Sequence, residues 1–171
     1  MSIRLISARD ENIEQLSEIG RQSYQHHFAH LWTNLTELNA YLDQEYSPHS
    51  IQQDLLNPQL EWFVISTTQS IGLVKLSYQQ PIPNHSLVGT LINKIYFLPQ
   101  FTGQGYGDQI FKQIEKIALN HGDQHLWLEV LASNLQAQAF YQKCAMQWVQ
   151  QICFQSGSQQ IPLDIFVKAL C

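Results

Sequence analysis

Ile95-Tyr96-Phe97-Leu98-Pro99-Gln100-Phe101-Thr102-Gly103-Gln104-Gly105-Tyr106-Gly107 joins a β-forming run to a helical one, and its reading decides the fold. Upstream, Val88 to Phe97 is rich in β-formers and stops at Leu98-Pro99. Downstream, Ile110, Ile114 and Ile117 recur at i, i+4, i+7 with Phe111 and Ala118 beside them. That is one face of a helix reaching about Asn120, closed by His121-Gly122. A glycine-rich turn between strand and helix suits phosphate, because glycines let the backbone approach closely and the N–H groups of a helix start favour anionic oxygens. The glycines alone say little. The G-x-G-x-x-G spacing of dinucleotide-binding turns fails, and no Gly-Lys-Ser/Thr of a P-loop is present.

Working outward, Ile3 to Ser7 reads as a short strand. Asp10 is the expected N-cap of a helix from about Glu11 to Trp32, with apolar Ile13, Leu16, Ile19, Tyr24 and Phe28. A second helix covers about Leu35 to Gln44. Ser47-Pro48 breaks the pattern and caps a short third helix through Leu56, which Asn57-Pro58 ends. Glu61 to Thr67 and Ile71 to Tyr78 read as paired strands. Beyond the central helix come a strand at Leu126 to Leu131 and a helix capped by Ser133-Asn134 that reaches about Cys144. A final hairpin, Trp148 to Phe154 and Ile161 to Val167, follows. The order β-α-α-β-β-β-α-β-α-β-β, with no repeat and no long linker, predicts one α/β domain over residues 1–171.

Charged residues make up only 13 %, and polarity is carried by 24 glutamines. A net charge of −5 argues against nucleic-acid or anionic-membrane partners, which need basic stripes. Residues 1–61 hold nine acids and three bases, and residues 62–171 hold five acids and six bases. The acidic third fits either a cationic ligand or a pair of solvated helices. Cys144, Cys153 and Cys171 are too scattered for a disulfide framework or zinc site. His26, His27 and His30 share the first helix, and His26 and His30 stand at i, i+4, but nothing completes a metal site, so no metal is expected and solvated histidines are favoured over one of them lining the acceptor cleft. The absence of an apolar signal region or long apolar run leads to a cytoplasmic expectation.

The quoted loop resembles the acetyl-CoA pyrophosphate loop of the GNAT N-acetyltransferase superfamily, usually strand, Pro-x-aromatic-Arg/Gln-Gly-x-Gly-x-Gly/Ala, helix. Thr102 stands where Arg or Gln is usual. The run Leu128-Glu129-Val130-Leu131-Ala132-Ser133-Asn134 through Ala137, Phe140-Tyr141 and Lys143 is similar to a second segment of that superfamily. The usual following Gly-Phe is here Ala145-Met146. Tyr46-Ser47-Pro48, Ile95 to Pro99 and the tail from Phe154 to Asp164 look most like bacterial polyamine (spermidine/spermine) N-acetyltransferases.

The resemblance implies a mixed, mostly antiparallel sheet of six to seven strands flanked by helices. It places the acceptor side in residues 1–61 and an acetyl-CoA-binding core in residues 62–171. Main-chain groups of Tyr96 and Phe97 would hold the pantetheine arm. Thr102, Gly103, Gln104, Gly105, Tyr106, Gly107 and Asp108 would surround the pyrophosphate. Asn134 would bond the pantetheine besides capping its helix, and Lys143 would contact phosphate or be solvated. Tyr141 is the candidate general acid. No carboxylate lies on Leu91 to Ile95, so Glu129 is the candidate base, against a structural reading in which it pairs with Lys94 or Lys75. Tyr24, Phe28, Tyr41 and Glu45 are acceptor-side candidates, because carboxylates and aromatic faces suit an alkylammonium. The expected activity is transfer of acetyl from acetyl-CoA to a small primary amine, with polyamine leading and a homodimer allowed. The rivals are a protein N-terminal or lysine acetyltransferase and a non-catalytic acyl-CoA-binding domain.

Overall fold

Short alternating strand patterns punctuated by turn residues produce the sheet, and three consecutive apolar-periodic segments produce the helices before it. In the computed structural model, which describes residues 2–171, strand β1 (Arg4–Ser7) pairs antiparallel with β2 (Leu60–Ser66). Helices α1 (Ile13–Phe28), α2 (Leu35–Tyr46) and α3 (Pro48–Leu55) lie between them in the chain. Strands β3 (Ser70–Pro81) and β4 (Val88–Phe97) follow, then α4 (Tyr106–Asn120) and β5 (His125–Leu131). Helix α5 (Leu135–Lys143) and the hairpin β6 (Gln147–Ser156) and β7 (Gln159–Ala169) complete the chain.

The described strands form a seven-stranded sheet in the order β1-β2-β3-β4-β5-β7-β6. Thr90, Leu91 and Ile92 of β4 pair parallel with Leu126, Trp127 and Leu128 of β5, the parallel step that the intervening helix α4 permits. β7 then pairs antiparallel with both β5 and β6. The mixed, mostly antiparallel sheet is as expected from the sequence, and the order of elements agrees once the short third helix α3 is counted with α1 and α2 between β1 and β2.

Two compact units make up the chain: Met1–Leu76 with Lys94–Ile110, and Ser77–Asn93 with Phe111–Cys171. The first is built on Leu16, Leu42, Tyr46, Ile51, Trp62 and Leu73, all essentially inaccessible to solvent. Gly20 is required there, because a Cβ on it would lie 2.2 Å from Cδ1 of the Tyr46 ring. The second has a core of Ile82, Trp127 and Ile165, with Leu91, Val149, Ile152 and Val167 against it.

Three local expectations are corrected. Asp10 is not an N-cap: Asn12 Oδ1 accepts from the Arg9 N–H, so the chain enters α1 through a short 3-10 turn over Asp10–Asn12. The first helix ends at Phe28, and a 3-10 turn over Ala29–Leu31 replaces its last turn. Phe28 there packs on Tyr24 and Tyr96, a tertiary demand that periodicity does not contain. Strand β3 runs past Tyr78 to Pro81, because Asp123 holds Gln79 at φ 54 by accepting from its N–H at 3.0 Å.

Helix α5 ends in a Schellman motif. Met146 N–H donates to Tyr141 O and Ala145 N–H to Gln142 O, with Ala145 at φ 67. A Cβ at that position strains the left-handed conformation that glycine adopts freely. Ala145→Gly should therefore raise stability by about 1 kcal/mol, seen as a higher urea midpoint at unchanged m.

Candidate active site

The glycine loop is shaped by its own backbone and side chains. A 3-10 turn over Pro99–Phe101 leads into Thr102, whose hydroxyl donates to Pro99 O at 2.9 Å. Gln104 Nε2 donates to Gln100 O at 3.1 Å. Gly103 and Gly105 have φ of 71 and 77, and no protein atom lies within 4 Å of where a Cβ would stand on either. These glycines are thus needed for backbone conformation and leave their surface open. Thr102 through Gly105 are exposed, and α4 begins at Tyr106, whose ring stacks at 6.3 Å on Phe97. No lysine or arginine occurs from Ile95 to Ile110. An anion held here would therefore meet backbone N–H groups and a helix start rather than cations. Acetyl-CoA carries such phosphates, and an open, glycine-formed turn before a four-turn helix fits them.

The same unit gathers an aromatic cluster. Tyr24 lies 4.9 Å from both Phe28 and Tyr41 and 6.5 Å from Tyr96, and Phe28 is 5.7 Å from Tyr96. Trp32 Nε1 donates to the Tyr24 hydroxyl at 3.2 Å. Burial pushes the Tyr24, Tyr41 and Tyr46 phenols above their ordinary value, so all three stay protonated at neutral pH. The structure thus brings together the acceptor-side candidates Tyr24, Phe28 and Tyr41.

Glu45 is also in this unit, but not as an uncommitted carboxylate. Lys94 of β4 is 5 % exposed, and its Nζ sits 2.7 Å from Glu45 Oε1 and 4.9 Å from the centre of the Tyr46 ring. Burial lowers the Lys94 pKa, and the Glu45 charge and hydrogen bond oppose that shift. Lys75 makes a parallel arrangement, 2.8 Å from Asp54 and 5.3 Å from the Trp62 ring, while Trp62 Nε1 donates to Asp54 at 2.9 Å. These pairs correct the structural reading of Glu129, since both lysines engage acids of α2 and α3 instead. The sequence did carry a signal for Lys94: it stands between Ile92 and Tyr96 on one face of a strand, where a buried residue is expected.

Sequence reasoning favours His27, with His26 and His30, as a solvated helix-face histidine over one lining the acceptor cleft, and gives it no partner. Half-buried on α1, it places Nε2 3.4 Å from the Phe97 carbonyl at the end of β4. Gly72 of β3 is packed against the same strand end, because a Cβ on it would lie 2.3 Å from Tyr96 O and 3.1 Å from Phe97 Cα.

In the second unit, Asn134 caps α5, its Oδ1 accepting from Ala137 N–H at 3.1 Å. Gln138 anchors the same helix: its Nε2 is shared among Leu131 O, Ala132 O and Asp164 Oδ2 at 3.0 to 3.1 Å. Buried Asp164 also accepts from Trp148 Nε1 and Gln151 Nε2. Tyr141 is half-buried beside Phe140 at 5.4 Å, and its pKa is raised chiefly by burial and further by Cys144. Glu129 faces Ile165 in the β5–β7 register and is largely exposed, yet partial desolvation raises its carboxyl pKa. Lys143 is exposed in the last turn of α5. Among the described residues, no group of three or more His, Cys, Asp or Glu side chains is placed to hold a metal ion, and no helix is long and apolar enough to cross a membrane.

Comparison with known families then decides the matter. Residues 20–146 match the model of the acetyltransferase (GNAT) family. The chain belongs to the GNAT family. It is an acetyl-CoA-dependent N-acetyltransferase, with the mixed α/β GNAT fold. Solved structures share that fold at low identity. The PaiA N-acetyltransferase of Thermoplasma acidophilum in complex with coenzyme A is 19 % identical with a TM-score of 0.72, covering 99 % of each chain. Mutant forms of the spermidine/spermine N-acetyltransferase SpeG of Vibrio cholerae are 14 % identical, TM-score 0.69, covering 98 % of this GNAT chain and 95 % of theirs. A ribosomal-protein-alanine N-acetyltransferase of Brucella melitensis is 15 % identical, TM-score 0.67, covering 99 % of this chain and 100 % of its own. The GNAT fold therefore accompanies small-molecule and protein acceptors alike.

The His27 environment gives a prediction on stability. Burial lowers its pKa below the ordinary 6.5, so just under 6.5 the unfolded chain binds more protons at this site than the folded one. The site's contribution should be complete above about 6.5 and be lost as pH falls through that window. Denaturant unfolding between pH 5 and 8 should show this component in the wild type and lack it in His27→Gln.

Proposed function

We propose that this enzyme acetylates a small primary amine by direct transfer, with spermidine- or spermine-like polycations the leading acceptors. The observation that supports this most is the environment of Lys94. An alkylammonium already lies against a carboxylate and an aromatic face, Glu45 and Tyr46, within the unit that carries Tyr24, Phe28 and Tyr41. That is the chemistry by which an acceptor ammonium is held. The unit also carries five more acids than bases, whereas the other is neutral in sum. Tyr24, Phe28 and Tyr41 are assigned to the acceptor's methylene chain, and Glu45, shared with Lys94, to its charge.

Acetyl-CoA, when bound, supplies the acetyl group as a thioester. In our reading the backbone N–H groups from Thr102 to Gly107, with Asp108 beside them, surround its pyrophosphate. Main-chain groups of Tyr96 and Phe97 hold the pantetheine arm, and one N–H there donates to the carbonyl oxygen, where negative charge develops. Asn134 contributes its side-chain amide to the arm, and Lys143 its charge to phosphate. Tyr141 protonates the departing sulfur: burial raises its pKa, so the phenol is protonated at neutral pH and holds a proton to share as charge develops on sulfur. For the ammonium proton, Glu129, its carboxyl pKa raised by partial desolvation, is the carboxylate candidate, and a histidine is the alternative. The twelve-residue spacing of Glu129 and Tyr141 supports a protein N-terminus as the second reading.

Turnover of acetyl-CoA on spermidine, spermine, short diamines and N-terminal peptides tests these readings together. Polyamines should give the highest kcat/KM, and faster transfer to peptides would replace them as acceptors. Tyr141→Phe should lower kcat by about 10²-fold or more while calorimetry finds acetyl-CoA affinity unchanged. Undiminished kcat would remove Tyr141 from the mechanism.

A further inference from the structure

We infer that His27, rather than Glu129, is the general base that takes the proton from the acceptor ammonium. The inference rests on the reading that the acceptor lies along Tyr24 and Phe28 and the acyl group beside the Tyr96–Phe97 backbone. His27 sits where those two places meet. Its ring is 6.0 Å from Phe28, which packs on Tyr24 and Tyr96, and its Nε2 is 3.4 Å from Phe97 O.

A carbonyl oxygen only accepts, so Nε2 must carry the hydrogen and Nδ1 keeps the free lone pair. The Phe97 carbonyl thus selects the tautomer a base requires and continues to accept from Nε2–H once the ring is charged. The titratable group that acts on His27 is His26, beside it in α1 with rings 5.0 Å apart. From β4 it meets the uncharged Phe97 carbonyl. Burial and His26 both disfavour the imidazolium, so the ring is neutral and able to accept at physiological pH. Of the acids on α2 and α3, Asp43 pairs with Arg21, Glu45 with Lys94, and Asp54 with Lys75 and Trp62, and none of them acts on His27 as His26 does.

The proton balance is complete with groups already named. One ammonium proton passes to Nδ1 and then to solvent. The freed nitrogen lone pair forms the C–N bond as the C–S bond breaks. Tyr141 gives its proton to sulfur and is restored by the proton lost from the new amide nitrogen.

His27→Gln separates this role from a structural one, because the Gln amide can still donate to Phe97 O but cannot take the proton. We expect kcat/KM at pH 7 to fall about 10²-fold and the acidic limb of the pH–rate profile to disappear, with acetyl-CoA affinity by calorimetry unchanged. Glu129→Gln should keep that limb. Nitrogen-15 NMR of the wild type, without any ligand, should show the Nε2–H tautomer of His27 titrating at the pH of the kinetic limb. A limb preserved in His27→Gln, its loss in Glu129→Gln, or an Nδ1–H tautomer would each overturn the assignment. Should the amine panel show no acetyl transfer in the wild type, the functional reading fails, and the base assigned to it falls with it.

Discussion

A lysine ammonium taken out of water is costly unless a carboxylate meets it, and the unit that carries helices α1 to α3 is organised around that requirement. Lys94 reaches from β4 to Glu45 of α2, and Lys75 from β3 to Asp54 of α3. Each ammonium also lies over an aromatic ring, Tyr46 or Trp62, belonging to the core. Two parallel clamps thus fix the second and third helices on the strands. The position of Tyr46 in turn requires a glycine at residue 20, so helix α1 is drawn into the same arrangement. Removing one partner of such a pair typically costs about 3–5 kcal/mol, most for the least exposed charge. Lys94 at 5 % exposure is that charge, which makes its pair with Glu45 the contact on which the rest of the unit depends.

The glycine loop proposed to hold the cofactor carries no comparable charge. The open loop from Thr102 to Gly105 and the start of α4 offer N–H groups, and the nearest lysines in the chain, Lys94 and Lys112, lie outside the loop. Lys94 is committed to Glu45. Thr102, which replaces the usual Arg or Gln, spends its hydroxyl on Pro99 O and so stabilises the turn that presents the glycines. The unusual residue serves loop conformation instead of supplying a cation.

How much of this could be read from the sequence follows from the range of the forces involved. The strand, loop and helix around residues 95–120 were legible because glycine conformations, proline and helical periodicity are local. So were Ser47 as the cap of α3 and Asn134 as the cap of α5, since a capping side chain reaches only its own helix start. The pairing of Lys94 with Glu45 joins residues 49 positions apart, and that of Asp123 with Gln79 joins residues 44 apart. No periodicity encodes such partners. The end of α1 at Phe28 was hidden for the same reason, being set by Tyr96 on a distant strand. His27 could not be told from its neighbours His26 and His30, because a histidine on a helix surface acquires meaning only when a carbonyl from elsewhere meets it.

Two of the 24 glutamines act together at Asp164. This buried carboxylate has Gln138, Gln151 and Trp148 as its hydrogen-bond donors, all of them uncharged. Amide dipoles are not screened by mobile ions as opposed charges are, so the anchor of α5 is nearly independent of ionic strength. Gln104 and Gln150 make similar neutral contacts to carbonyl oxygens elsewhere. Helix α5 is thus held by neutral donors on one buried carboxylate, and salt should loosen it less than it loosens the exposed Arg21–Asp43 pair.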